Sequence, residues 1–196
     1  MMFFWGLIAV AVSSSQAATS AKFWAESNKK EIPSAEGTIL YDAQENRVRL
    51  DTSKPAALST LVEIKKKTAI LLIHPLHMYV DSDFRRVEGN LPVCFEKGPE
   101  ACLKKEGFKF SNEENIGTQA CGKFLKTTGQ NKITVWVPRP YLSSYPAQVK
   151  FEGEKGLVIL SHFEDFKTVE LSQDTFQTPK DYKKAEGLDS FFKGSK

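Results

Sequence analysis

Between Leu58 and Asp81 the chain alternates apolar and polar positions with the two-residue period of an extended strand. Leu58, Thr60, Val62 and Ile64 fall on one side, and Ser59, Leu61 and Glu63 on the other. Lys65-Lys66-Lys67 then marks a solvated connection. Thr68 to Ile73 is an apolar, β-rich run of strand length. His74-Pro75-Leu76 breaks it, because proline has no amide for a sheet ladder. His77 to Asp81 resumes the alternation. The pattern predicts three successive antiparallel strands.

Similar short runs recur on both sides. GTILYD (37–42) and RVRLD (47–51) are predicted strands joined by the polar turn AQEN, with TSKPAA (52–57) as a loop. Regular strands are expected again at 119–126 and 132–138, separated by TTGQN. A hairpin of 147–152 and 157–166 follows around GEKG. Pro138, Pro140 and Pro146 frame a loop that carries Tyr141 and Tyr145. Residues 20–34, with Phe23 and Trp24 on a polar background, predict a short amphipathic helix or irregular arm. Residues 82–106 dissolve into charge, Gly, Pro and Cys, with one helical turn expected near 100–105. The tail ends in a short helical segment bearing Phe191 and Phe192. Nine or ten short strands joined by tight turns give a mainly β chain built as one curled antiparallel sheet, a sandwich or a barrel.

Composition changes this picture little. The chain has 196 residues, 41 % of them hydrophobic and 26 % charged, and a net charge of +3. That suits one domain and gives no polyanion-binding bias, so nucleic acid is not an expected partner. The opening MMFFWGLIAVAVSSSQAATSA does change it. An apolar run followed by small residues predicts a secretory signal, residues 1–17, cleaved near Ala17 or Ala18 and leaving one β domain over 18–196. A retained membrane anchor is the alternative. Export to the periplasm or beyond places Cys94, Cys102 and Cys121 in an oxidising compartment. The short loop around Gly98-Pro99 favours a Cys94–Cys102 disulfide, with Cys102–Cys121 as the competing pair.

No catalytic constellation emerges. His74 and His77 fall on opposite faces if extended, His162 is distant, and no acid or cysteine completes a metal set. The serines lie in no nucleophile elbow. Trp136, Tyr141, Tyr145 and Phe151 could stack on a sugar or base, but alternating strand aromatics are more often core. The residues predict a protein without enzymatic activity, cofactor or metal. What remains is shape: a single sheet must cover its apolar face or leave a cavity there.

The succession GTILYD, NRVRLD, STLVEIKKKTAILLIHPLHMYVD, TVWVPRPYLSSYPAQVKF and DTFQTPKDYKK resembles uncharacterised bacterial envelope proteins of the lipoprotein-carrier (LolA/LolB-like) superfamily. The pattern includes Leu71-Leu72-Ile73-His74-Pro75, Met78-Tyr79 and the closing Phe176, Pro179 and Tyr182, and covers about residues 36 to 184. The resemblance implies a single strongly curved antiparallel sheet, a half-barrel with short helices across its concave face, holding acyl chains or other apolar ligands. Arg47 and Arg49 have no proline beside them, so the arginine-proline lid switch of the carriers is not carried over.

The expected ligand-lining residues are Leu50, Val62, Leu72, Met78, Val135, Val137 and Phe151, all on the supposition that one strand parity is concave. The expected partner of this monomeric protein is a lipid or lipid-modified protein. The alternative is an envelope interaction module with a filled core, touching a protein partner through the cysteine-bearing loop or the 138–146 loop.

Overall fold

The computed structural model describes residues 17–84, 99–140, 145–172 and 174–186, and here the alternating runs become twelve strands of one open, curled sheet. In chain order these are β1 (Ala17–Ser27), β2 (Ala35–Asp42), β3 (Arg47–Lys54), β4 (Leu58–Glu63), β5 (Thr68–Ile73) and β6 (Met78–Ser82), then β7 (Lys109–Ile116), β8 (Gln119–Thr128), β9 (Asn131–Pro138), β10 (Gln148–Glu152), β11 (Val158–Glu170) and β12 (Lys183–Lys184). One helix, α1 (Pro99–Lys105), precedes β7. Across the sheet the order is β12-β6-β5-β4-β3-β2-β1-β11-β10-β9-β8-β7. Every pairing is antiparallel except the short β12, which lies parallel on β6. Two meanders are therefore joined in the middle, where β1 pairs with both β2 and β11.

The central place of β1 corrects the expected helix or arm at 20–34. Ala21, Phe23 and Ala25 alternate with Lys22, Trp24 and Glu26, so the adjacent Phe23 and Trp24 point to opposite faces rather than along one helix stripe. The second correction is β7, a strand the pattern did not predict. Its sequence KFSNEENI is largely exposed at the edge of the sheet, where no buried face imposes alternation. The count rises from nine or ten to twelve accordingly. The helical turn near 100–105 is present as α1. Residues 1–16, nearly all of the segment expected as a leader, lie outside the described residues, as do Cys94, Tyr141 and the Phe191-Phe192 tail. Among those described, no helix is long and apolar enough to cross a membrane.

Local chemistry fixes the turns. The wholly buried carboxylate of Asp42 accepts the amides of Gln44 and Glu45 and the guanidinium of Arg47 (2.6 Å), closing the β2–β3 hairpin. His74–Leu76 forms a single 3-10 turn, and His77 takes a left-handed φ of 49° to re-enter the sheet at β6. Gly37 lets β3 approach: a Cβ there would stand 1.8 Å from the Asp51 carbonyl oxygen.

A candidate apolar binding face

Pairing register sorts the side chains onto two faces. One face is apolar. Ala21, Phe23, Ile39, Tyr41, Val48, Val62, Ala69 and Phe163 form its core, filled from the loops by Phe84 and Tyr145. A second cluster of Phe124, Val135 and Val137 continues it over β8 and β9, covered by Leu103 of α1. Beyond these buried centres the same face carries half-covered hydrocarbon. At one end stand Leu50, Leu71, Ile73 and Met78, and at the other Ile133, Phe151 and Ile159.

Six of the seven expected lining residues share this face: Leu50, Val62, Met78, Val135, Val137 and Phe151. Leu72 does not. It pairs with Ser59 and Tyr79, on the other side of β5 from Ala69 and Leu71. The run Ile70-Leu71-Leu72-Ile73 is apolar at every position, so its parity could not be read. Among the six, Val62 and Val137 are 1 % exposed and Val135 is 8 %, which puts them within packed core. Leu50, Met78 and Phe151 are the half-exposed ones.

Arg139 holds α1 against this face. Its guanidinium donates to Glu100 of α1 and to Glu113 of β7 (2.6 Å), and lies 5.4 Å over the Phe110 ring. Gly122 makes room for it, since a Cβ there would come within 2.9 Å of Arg139 Nε. Tyr145, one of the two tyrosines of loop 138–146, is core and not contact surface. Its ring is fully buried and stacks 6.2 Å from Phe166, and burial pushes its hydroxyl pKa far upward.

The opposite face is polar and partly covered by the chain's own C-terminal segment. Residues 174–186 run as a strap over β3 to β6. Arg49 pairs with Asp51 (2.8 Å) and donates to the Thr175 carbonyl (2.7 Å), while Arg47 sits 4.6 Å over the Phe176 ring. The buried Ser59 hydroxyl bonds Asp51 and stands 2.6 Å from His74 Nε2, and His74 Nδ1 stands 2.6 Å from the Tyr182 hydroxyl. With Ser59 donating to Asp51, His74 Nε2–H donates to Ser59 and Nδ1 accepts from Tyr182, which satisfies every member.

His77 pairs with Asp181 (2.8 Å) and Lys184 with Asp81 (2.6 Å). His74 and His77 thus both serve the strap. The third histidine, His162, stacks on Trp24, and no cluster of metal-binding side chains occurs among the described residues. Of the motif residues, His74 and Tyr182 meet each other, and Phe176 meets Arg47. Cys121 is a free, buried thiol, so the Cys102–Cys121 pair is not formed.

The chain matches no protein-family model and no curated protein. Among solved structures it is similar to an uncharacterized conserved protein from Thermus thermophilus, at 14 % identity and a TM-score of 0.62, over 87 % of this chain and 90 % of that one. This likeness shows the fold. Also similar are a LolA superfamily protein from Nitrosomonas europaea (10 % identity, TM-score 0.40, covering 83 % and 90 %) and the Mycobacterium tuberculosis lipoprotein LppX (9 % identity, TM-score 0.45, covering 78 % and 87 %). The single open, curled antiparallel sheet is therefore a fold this chain shares with a solved structure.

Proposed function

We propose that this protein is an exported, non-enzymatic envelope protein that holds a lipid, or the acyl part of a lipid-modified protein, on the apolar face of its half-barrel. One observation carries the reading: a single sheet whose apolar face is packed at its centre yet only half-covered at both ends. Leu50, Leu71, Ile73 and Met78 form the half-covered patch at the β3, β5 and β6 end. Hydrocarbon laid there would gain about 25 cal/mol per Å² removed from water, with no polar group needed to hold it. The leader supports export to the periplasm or beyond, and an oxidised Cys94–Cys102 bridge would then pin the approach to α1. The protein acts as a monomer with a lipid-type partner.

The test is native mass spectrometry of the protein purified from the periplasm without detergent, followed by lipid extraction. A stoichiometric acyl or phospholipid adduct that is lost in Met78→Lys supports the reading, and the intact mass also reports whether the leader is removed and whether Cys94 and Cys102 are oxidised. A clean mass that stays clean after incubation with phospholipid overturns it. Val62 and Val137 are unsuitable for this test, since a charge at a core position unfolds the sheet whatever it binds.

A further inference from the structure

Trp24 is a large aromatic left 38 % exposed in the middle of the sheet, on the polar face. Its strand neighbours on that face are His162 of β11 and Glu36 of β2. The His162 ring stacks on the indole at 3.7 Å and 14° from parallel. Burial pushes the His162 pKa below the usual histidine value, which favours the neutral ring in that stack. A ring covered on its β11 side presents its other side toward β2 and β3, one strand spacing away. There the surface opens into a hollow of about 700 Å³.

The hollow is lined by Trp24, Glu36, Thr38, Asp51, Ser53 and Lys54 among others, and Gly37 contributes no side chain to its floor. Lys22, Glu26 and Glu164 also line it, Lys22 pairing with Asp165, while the charges of the β2–β3 rim are answered within the rim or by its neighbours. Lys54 pairs with Glu36 at 3.1 Å, Ser53 donates to the Glu36 carbonyl at 3.2 Å, and Arg49 holds Asp51. An anionic ligand would be repelled by the carboxylates of Glu26 and Glu164 and would find the rim's own lysine, Lys54, already paired. A neutral molecule with many hydroxyls would find acceptors in the Glu36 carboxylate and the Thr38 and Ser53 hydroxyls, and a donor in the Lys54 ammonium, which keeps hydrogens beyond the one facing Glu36. An indole wall beside such a rim matches a pyranose ring, whose C–H face is apolar and whose edge is hydroxylated.

We infer that this hollow is a saccharide site, with Trp24 as the stacking platform and the rim of Glu36, Ser53 and Lys54 bonding sugar hydroxyls. It lies on the face opposite the proposed lipid surface and stands or falls separately from that reading. The chain's other tryptophans are Trp5 in the leader and Trp136, whose indole N–H is bonded to Glu114, so the Trp24 indole gives its own resonance.

The experiment is ¹H–¹⁵N NMR of the purified protein titrated with maltose and with the disaccharide of N-acetylglucosamine, and with choline chloride as the ionic control. Expected is a saturable shift of the Trp24 indole with at least one disaccharide and none with choline. Trp24→Ala, read on the neighbouring Glu36 and Thr38 amides, is expected to bind about tenfold more weakly or worse, the loss of one aromatic stack. Trp24→Phe is expected to retain part of the affinity, which separates stacking from a loss of fold. No shift with either disaccharide, equal binding by Trp24→Ala, or saturation by choline instead would each overturn the assignment.

Discussion

On the apolar face, Tyr41, Val48 and Val62 pair across β2, β3 and β4 and are buried by other hydrocarbon. On the polar face, Leu72 and Ser59 are buried just as deeply, but beneath a strap of the same chain and beside a run of side-chain hydrogen bonds. Equal burial thus arises in two ways. Over β3 to β6 the polar face is covered by residues 174–186, which bring their own partners: Thr175 for Arg49, Phe176 for Arg47, Tyr182 for His74. The apolar face ends in half-covered side chains. The lesson is that depth of burial does not locate a binding surface in a single-sheet protein; the boundary of burial does.

The largest expected effect tests whether the strap makes a second core. Phe124→Ala on the apolar face should cost about 3–5 kcal/mol, and Leu72→Ala on the other about 2–5 kcal/mol, both by urea unfolding. A Leu72→Ala cost below about 0.5 kcal/mol would show that the strap does not seal its face. Next comes the polar run itself. Tyr182→Phe takes the donor from His74 Nδ1 and should cost about 1–3 kcal/mol by the same measurement. No loss would mean that the strap is held by its backbone and ion pairs alone.

A smaller effect is expected with pH, on the half of the polar face without a strap. The Trp136 N–H and then Lys123 hold the Glu114 carboxyl below its ordinary value of 4.5. Its folded pKa is therefore lower than its unfolded one, and the stability it contributes is present above about pH 4.5 and lost as pH falls through the folded pKa. Unfolding midpoints measured between neutral and acid pH should fall in that window, and less steeply in Trp136→Phe. The smallest effect belongs to Lys150→Ala. Its pair with Glu152 at 3.0 Å is only partly buried and still reached by water, and removal should change stability by no more than about 1 kcal/mol.

Much of the fold was legible because β2, β3, β4 and β6 alternate between tight turns, and a one-sided sheet needs that alternation. Two strands were hidden for opposite reasons. In β1 the adjacent Phe23 and Trp24 mimic a helix stripe, because an exposed aromatic occupies a polar position. In β7 nothing is buried enough to leave a pattern. Leu72 was misplaced because a run apolar on both sides carries no parity.

The site residues fared according to distance in sequence. The partners Asp51 and Ser59 lie 8 residues apart on paired strands, whereas His74 and Tyr182 lie 108 apart, a separation that no local spacing rule spans. Arg139 is similar: 39 and 26 residues separate it from Glu100 and Glu113, and the one local hint was the bare Gly122 on the strand beside it.

The account's central claim is that acyl chains lie on the half-covered end of the apolar face. Its most direct test is methyl NMR of the deuterated, methyl-protonated protein with protonated stearic acid, read as intermolecular NOEs, which report contact only. The account predicts NOEs from the acyl chain to the Leu50, Leu71, Ile73 and Met78 methyls and none to Leu72, one residue along β5 but on the other side of the sheet. NOEs to Leu72 alongside them, or to none of the five, would contradict it.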